Sequence, residues 1–318
     1  MRQAGSVTCD STMRAAGISA LGESVEILEV DELAQPAADE VLIEVATAGI
    51  GNWDELVRIG GWQIGGPAPM ALGTEAAGTV VAVGAGVAVV SEGDEVITHP
   101  LPLRRHGTWA ERVLAPAAAV APRPRAASWE ACGAFPIPAL TAAQALDEAL
   151  AIESGDWVVV NGAGGVTGGL LVQLAAARGA RVIATVGARK AGRIRGYGAS
   201  EVLDYHGEWP ALVREITGCA PKAVNAARGQ AATTLQAVAD GGRLATITGD
   251  PPREERGVAV SDVYVRPDGR QLSALAELLD RGALSVPIAS VRPLEEAAQA
   301  LREVVAGADG AIVLSLPT

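Results

Sequence analysis

The sequence predicts an α/β protein in which a doubly wound parallel sheet is joined to a mainly antiparallel β-barrel. Three observations predict it. A strand–glycine turn–helix–strand unit runs from Trp157 to Val186. From Leu140 onward, helical stretches alternate with short apolar strands, the pattern of a parallel sheet covered on both faces. Before Pro122 the signals are mostly β, punctuated by glycine and proline.

Along the chain, residues 1–12 (Met-Arg-Gln-Ala-Gly-Ser-Val-Thr-Cys-Asp-Ser-Thr) read as a disordered extension, with Met13 an alternative start. Ser24–Val30 alternates apolar and charged residues, as a half-buried strand does. Glu40–Val45, Gly78–Val83 and Asp94–Thr98 continue that pattern, and a short helix is expected over Trp53–Ile59. Ser128 and Glu130 before an alanine-rich run mark a helix start. Val158, Val159 and Val160 suit a buried parallel strand. Leu170, Leu171, Leu174 and Ala175 fall at helical spacing on one face, and Arg178-Gly179 closes that helix. Further strands are expected over Val182–Val186, Glu201–Tyr205, Ala223–Ala226 and Arg243–Thr248. From about Pro267 the chain is expected to return to the first half through a helix (Gln271–Asp280) and a strand (Ala311–Leu316).

The glycine turn carries the chemistry. Gly162, Gly165 and Gly168 leave backbone N–H groups and a helix N-terminus facing a pyrophosphate, with no Cβ in the way. A glycine cluster alone is often only a flexible turn, but here both strands and the helix flank it. The Lys-Ser/Thr pair of a nucleoside-triphosphate loop is missing, since Gly169-Leu170 follows Gly168. The expected ligand is a dinucleotide.

Composition bounds the partners. A net charge of −12 repels nucleic acid and anionic membrane surfaces. Cys9, Cys132 and Cys219 are far apart and odd in number, which supports neither a disulfide framework nor a thiolate zinc site. No apolar run reaches membrane-spanning length, and a cytoplasmic location is the default. His99, His106 and His206 are scattered and read as separate surface or loop histidines.

Several collinear motifs resemble those of the medium-chain dehydrogenase/reductases across nearly all of residues 13–318. They are Ala48-Gly-Ile-Gly-Asn-Trp-Asp54, Leu72-Gly-Thr-Glu-Ala-Ala-Gly78, Val83-Gly-Ala-Gly-Val87, Glu92-Gly-Asp-Glu-Val96, Gly107-Thr-Trp-Ala-Glu111, Ala139-Leu-Thr-Ala-Ala-Gln-Ala-Leu146 and Asp240-Gly-Gly-Arg-Leu244. The branch they resemble most is the zinc-free quinone oxidoreductase and enoyl reductase group. The resemblance implies a GroES-like substrate domain over 13–128 and 267–318, and a Rossmann domain over 129–266. It also implies a homodimer paired through a sheet edge, for which Gly257–Val265 is the expected stretch.

Zinc-dependent relatives place a Cys where Gly51 stands and a His where Thr74 stands, so no metal site is expected. Cofactor choice turns on the end of the second strand. Thr185-Val186-Gly187-Ala188-Arg189-Lys190 has no acid to bind a ribose 2′-OH and two cations suited to a 2′-phosphate. NADPH is therefore expected over NADH, with Tyr205 beside the phosphate; the plain alternative is that Arg189 and Lys190 begin a solvated helix. The cofactor contacts that follow are Gly51, Thr141, Asn161, Gly162, Ala163, Gly164, Gly165, Val166, Thr167, Gly168, Val186, Gly187, Arg189, Lys190, Tyr205, Ala227 and Thr248.

The resemblance places the 48–54 turn against the nicotinamide. Tyr197, Tyr205 and Tyr264 all lie outside the first half, so a tyrosine acid from this turn is excluded. Asn52 is the candidate donor to a substrate carbonyl, with helix N-capping its structural alternative. Trp53, with Trp62 and Trp109, is a candidate for stacking on a flat substrate or for packing. Phe135-Pro-Ile-Pro-Ala139 is expected beneath the nicotinamide, and the family's basic residues before the last strand are replaced by Asp309-Gly-Ala311. The expected reaction is hydride transfer to a quinone or α,β-unsaturated ketone. A non-catalytic NADPH-binding role is the competing expectation.

Overall fold

The computed structural model describes residues 12–218 and 221–317. In the first half, eight strands pair antiparallel: β1 (Thr12–Ile18), β2 (Glu26–Asp31), β3 (Glu40–Ile50), β4 (Met70–Ala71), β5 (Ala76–Val83), β6 (Glu95–Thr98), β7 (Arg112–Pro116) and β8 (Val120–Pro122). The barrel-like half is two sheets. One has the order β2-β1-β4, and the other is built around β3, which pairs with β5 and β7. The Ala15–Ala110 bridge and the Ala16 N–H on Trp109 O at 2.7 Å stitch the two together. β3 is buried along nearly its whole length, which is why its Val41-Leu-Ile-Glu-Val45 stretch reads as strand. Val41, Ile43, Val45, Val80, Val96 and Val113 form its core. A helix of two turns, α1 (Asn52–Arg58), follows β3 directly.

α2 (Trp129–Gly133) opens the second half with the Ser128 hydroxyl accepting the Ala131 N–H at 3.2 Å, the cap expected from the sequence. α3 (Pro136–Gln144) is buried on every side. The parallel sheet comprises β9 (Trp157–Asn161), β10 (Arg181–Thr185), β11 (Glu201–Leu203), β12 (Lys222–Asn225), β13 (Arg243–Thr246) and β14 (Ala259–Asp262). Its order is β11-β10-β9-β12-β13-β14, every neighbouring pair parallel. α4 (Val166–Ala177), α5 (Ala191–Gly196), α6 (Trp209–Thr217) and α7 (Ala231–Ala237) fill the crossovers. Consecutive strands thus build outward from β9 in both directions, leaving a crevice at the carboxyl ends of β9, β10 and β12.

α8 (Gly269–Asp280) packs on α3 and β8, with Leu272, Leu275 and Leu279 in the core that also holds Leu140, Leu170 and Val160. The sheet-level return comes later. β15 (Ile288–Pro293), α9 (Ala297–Ala306) and β16 (Ala311–Ser315) follow, and β16 joins β3 with Ile312 opposite Ile50. Ile97, Ala121 and Val313 share the core of the parallel sheet, so the two halves have a continuous interior.

Several expectations need correction. β1 begins at Thr12, inside the segment expected to be an extension; residues 1–11, with Cys9, lie outside the described residues, as does Cys219. β11 stops at Leu203 because Asp204 turns the chain, its Oδ1 accepting the His206 N–H at 3.0 Å. α4 is buried from Gly168 to Ala175 instead of along one face, because α3 covers the side away from the sheet. Burying Leu170, Leu171 and Leu174 stabilises this unit by about 1.5–3 kcal/mol each. His99 and His106 are buried, not surface residues.

Candidate active site

At the carboxyl ends of the central strands, four buried polar side chains satisfy one another. Asn161 Nδ2 donates to Asn225 Oδ1 at 3.1 Å and to Thr234 Oγ1 at 2.9 Å. Thr185 Oγ1 donates to Asn161 Oδ1 at 2.5 Å and accepts the Gly162 N–H at 3.2 Å. Asn225 also donates to Thr248 Oγ1 at 2.9 Å. This network ties β9, β10, β12 and the first residue of the glycine turn into one rigid block. Asn161 and Thr248 were expected here as direct cofactor contacts, and both have side chains engaged in the network.

The turn itself fits a pyrophosphate. Gly162 has φ +87°, and a Cβ there would lie 2.8 Å from the Ala226 carbonyl carbon and 3.0 Å from Ala227 N. A Cβ on Gly168 would lie 2.2 Å from Gly162 O, so only glycine lets α4 seat against the turn. Gly165 caps α4 with no side-chain bond, and the first turn carries no acid. A Cβ on Gly165 would find nothing nearer than 3.9 Å. The first turn of α4 thus has no side-chain cap, the arrangement of helix N-termini that bind anions.

Beside it stand the cations. Tyr205, half-exposed, lies over Gly187, where a Cβ would sit 3.3 Å from its ring, and stacks on His206. Arg189 is exposed. Lys190 reaches back to the turn, its Nζ donating to Gly164 O at 3.1 Å, and pairs with Asp309 at 3.2 Å. Arg193 makes the same two contacts, at 3.4 Å to Gly164 O and 2.8 Å to Asp309. Sequence reasoning stopped at Lys190, although Arg193 follows at i+3 on the same helix face.

Across the cleft, the turn after β3 has a different character. Gly51 is the N-cap of α1, and Asp54 Oδ2 accepts its N–H at 2.8 Å. Asn52 is therefore the first helical residue, which removes the N-capping alternative; its side chain is exposed. The Trp53 ring covers Gly51, so a Cβ at position 51 would lie 2.3 Å from ring carbons. Burial pushes the Asp54 carboxyl up to about 8 against the N–H groups of Gly51 and Gly73. Glu75 is raised well above the carboxylate range by burial and the neighbouring Asp54, with the Ile137 N–H opposing. His99 Nδ1 donates to Thr74 O at 2.7 Å, and burial holds the ring down near pKa 4. Four buried atoms here have no partner among the described residues: Trp53 Nε1, Asp54 Oδ1, Thr74 Oγ1 and His99 Nε2.

The tryptophans separate cleanly. Trp109 is fully buried with Nε1 donating to Gly49 O at 3.0 Å, so it is a packing residue. Trp62 packs against the same core, and only Trp53 covers the turn. Phe135 and Thr141 are buried at and within α3. Among the described residues no cluster of three or more metal-ligating side chains occurs, and no helix is long and apolar enough to cross a membrane.

A six-stranded parallel sheet with a glycine cradle at its switch point, facing an antiparallel domain, defines a nicotinamide-dependent oxidoreductase. Residues 37–125 match the alcohol dehydrogenase GroES-like domain, and residues 197–314 the zinc-binding dehydrogenase family. Mouse quinone oxidoreductase is 26% identical over 303 residues, covering 88% of this chain and 90% of its own length. The crystal structure of an NAD-dependent alcohol dehydrogenase superposes with TM-score 0.85 at 30% identity, over 96% of this chain and 100% of that one. A mycobacterial protein complexed with NADPH superposes with TM-score 0.82 at 27% identity over the same shares. The chain belongs to the medium-chain dehydrogenase/reductase superfamily.

Proposed function

We propose that this protein is a zinc-independent, NADPH-using reductase of quinones or α,β-unsaturated ketones. The observation that carries the reading is the pairing of an open, uncapped α4 N-terminus with the Arg189, Lys190 and Tyr205 cluster at the end of β10. The backbone of Gly162–Gly168 would hold the pyrophosphate, and Arg189, Lys190 and Tyr205 the 2′-phosphate. The nicotinamide, when bound, supplies a hydride.

Zinc independence rests on the residues at the turn. Gly51 has no ligand atom, Thr74 is a poor one, and the Trp53 ring fills the volume a cysteine side chain would need at position 51. The acceptor must therefore be activated by conjugation. Asn52, exposed and released from capping, presents an amide N–H to the oxygen on which enolate charge grows, and water supplies the proton. Trp53 forms an apolar wall beside it. The resemblance to mouse quinone oxidoreductase supports the same acceptor class. A homodimer paired through β14 agrees with the position of that strand at the sheet edge, and a cytoplasmic site agrees with the composition.

The test is oxidation of NADPH and of NADH, in parallel, against a panel of quinones and cyclic enones. Oxidation of NADPH in preference to NADH, with K190A losing that preference, supports the reading. Saturable NADPH binding without turnover on any acceptor would replace it with a non-catalytic role.

A further inference from the structure

Asp309 lies between α9 and β16, more than a hundred residues from the cations it meets. Its Oδ1 is 3.2 Å from Lys190 Nζ and 2.8 Å from Arg193 Nη2. Both cations also donate to Gly164 O, inside the glycine turn. The aliphatic stem of Lys190 packs on the same residue, since a Cβ on Gly164 would sit 3.0 Å from Lys190 Cδ. One carboxylate thus bridges two cations at the lip of the cradle. The Lys190 and Arg193 side chains are mostly buried, while Asp309 is about half-exposed. Arg193 and Lys190 in turn hold the Asp309 carboxyl below its ordinary range, keeping it charged through neutral pH.

A carboxylate and a phosphate monoester compete for the same donors. Each cation that Asp309 engages has part of its charge neutralised before a cofactor arrives, and the acid adds a repulsive charge near any second anion. A ribose hydroxyl feels neither effect. Of the cations on this segment, exposed Arg189 has no ion pair among the described residues.

We propose that Asp309 is a specificity-determining residue that restrains binding of a 2′-phosphate, by occupying Lys190 and Arg193 from the far end of the chain. The proposal rests on the reading that Lys190 faces the 2′-phosphate. It predicts a weaker preference for the phosphorylated cofactor than the β10–α5 cations alone would give. Removing the acid raises that preference without touching the cradle.

The experiment titrates the full chain with adenosine 2′,5′-bisphosphate, which carries the discriminating phosphate without a nicotinamide, and with adenosine 5′-monophosphate as reference. In D309N the bisphosphate binds about fivefold tighter, on the scale of two partly exposed charge contacts. The monophosphate changes by less than about twofold on the same scale. D309S gives the same gain, and D309E stays near wild type because the charge is kept. K190A weakens the bisphosphate and removes most of the gain in the K190A/D309N double variant. If K190A weakens the bisphosphate but D309N leaves it unchanged or weaker, Asp309 only positions its cations and the inference fails alone. If K190A has no effect, the assignment of Lys190 to the 2′-phosphate fails and takes the inference with it.

Discussion

At the carboxyl ends of β9, β10 and β12, Asn161, Thr185, Asn225 and Thr234 satisfy each other's hydrogen bonds, whereas at the end of β3 four buried polar atoms have no partner among the described residues. The first region is a closed network that holds the start of the glycine turn rigid through the Gly162 N–H on Thr185 Oγ1. The second holds two carboxyls, Asp54 and Glu75, in surroundings that favour their neutral forms. Atoms left unsatisfied there cost stability. One side of the cleft is polar and satisfied, the other polar and unsatisfied.

That contrast can be broken by substitution. The largest effect is expected from G168A, whose Cβ would collide with Gly162 O and lift α4 off the turn. Cofactor affinity should fall at least about a hundredfold, or about 2.8 kcal/mol, in a fluorescence titration. Retained affinity would mean the cradle is not the binding element.

N52A acts on the other wall. Turnover on an accepted quinone or enone should drop about a hundredfold, as expected for loss of one donor to developing charge. The cofactor dissociation constant should stay the same, and an equal loss in both quantities would argue against a role confined to the substrate.

The buried acids make stability depend on pH with a definite sign. Asp54 titrates near 8 when folded, so its protonated form supports the fold below the ordinary carboxylate range, and that support is lost as pH rises toward 8. His99 has the opposite linkage, costing stability as pH falls from about 6.5 toward 4. Between these values the two oppose each other. From about pH 6.5 to 8 the acid acts alone of the two, with a slope of up to about 1.4 kcal/mol per pH unit. D54N should flatten the melting temperature across that window, leaving the share of Glu75; an unchanged slope would place the titration elsewhere.

The smallest pair of effects sharpens the comparison most directly. T234V removes a hydroxyl that bonds Asn161 and Asn225, and should destabilise by about 1–3 kcal/mol in chemical denaturation. T74V removes a hydroxyl with no partner and should be neutral or slightly stabilising. Equal costs at both positions would erase the distinction between the two regions.

Much of this was legible beforehand because it depends on neighbours in sequence. The valine run of β9, the Gly162–Gly168 spacing and the alternation of Glu40–Val45 are local patterns, and local backbone sterics and periodicity enforce them. The cap at Ser128 was read the same way, whereas the edge position of Gly257–Val265 followed from the family resemblance. Asn52 was readable only as a choice between capping and chemistry, and the bond from Gly51 N–H to Asp54 Oδ2 removed capping from that choice.

What tertiary structure alone decided is which distant groups meet. Nothing local to Asp309 announces Lys190 and Arg193, and nothing in Gly51 alone announces the Trp53 ring above it. His99 looks like any loop histidine until β6 and the Thr74 carbonyl enclose it. The sequence by itself determined the parallel sheet, the antiparallel half, the glycine turn and the superfamily, since each is written in short-range spacing. The charge balance of the phosphate lip and the unsatisfied pocket of the β3 turn came only with packing. Coulombic pairing and desolvation depend on distances in space, and those are set by the whole core at once.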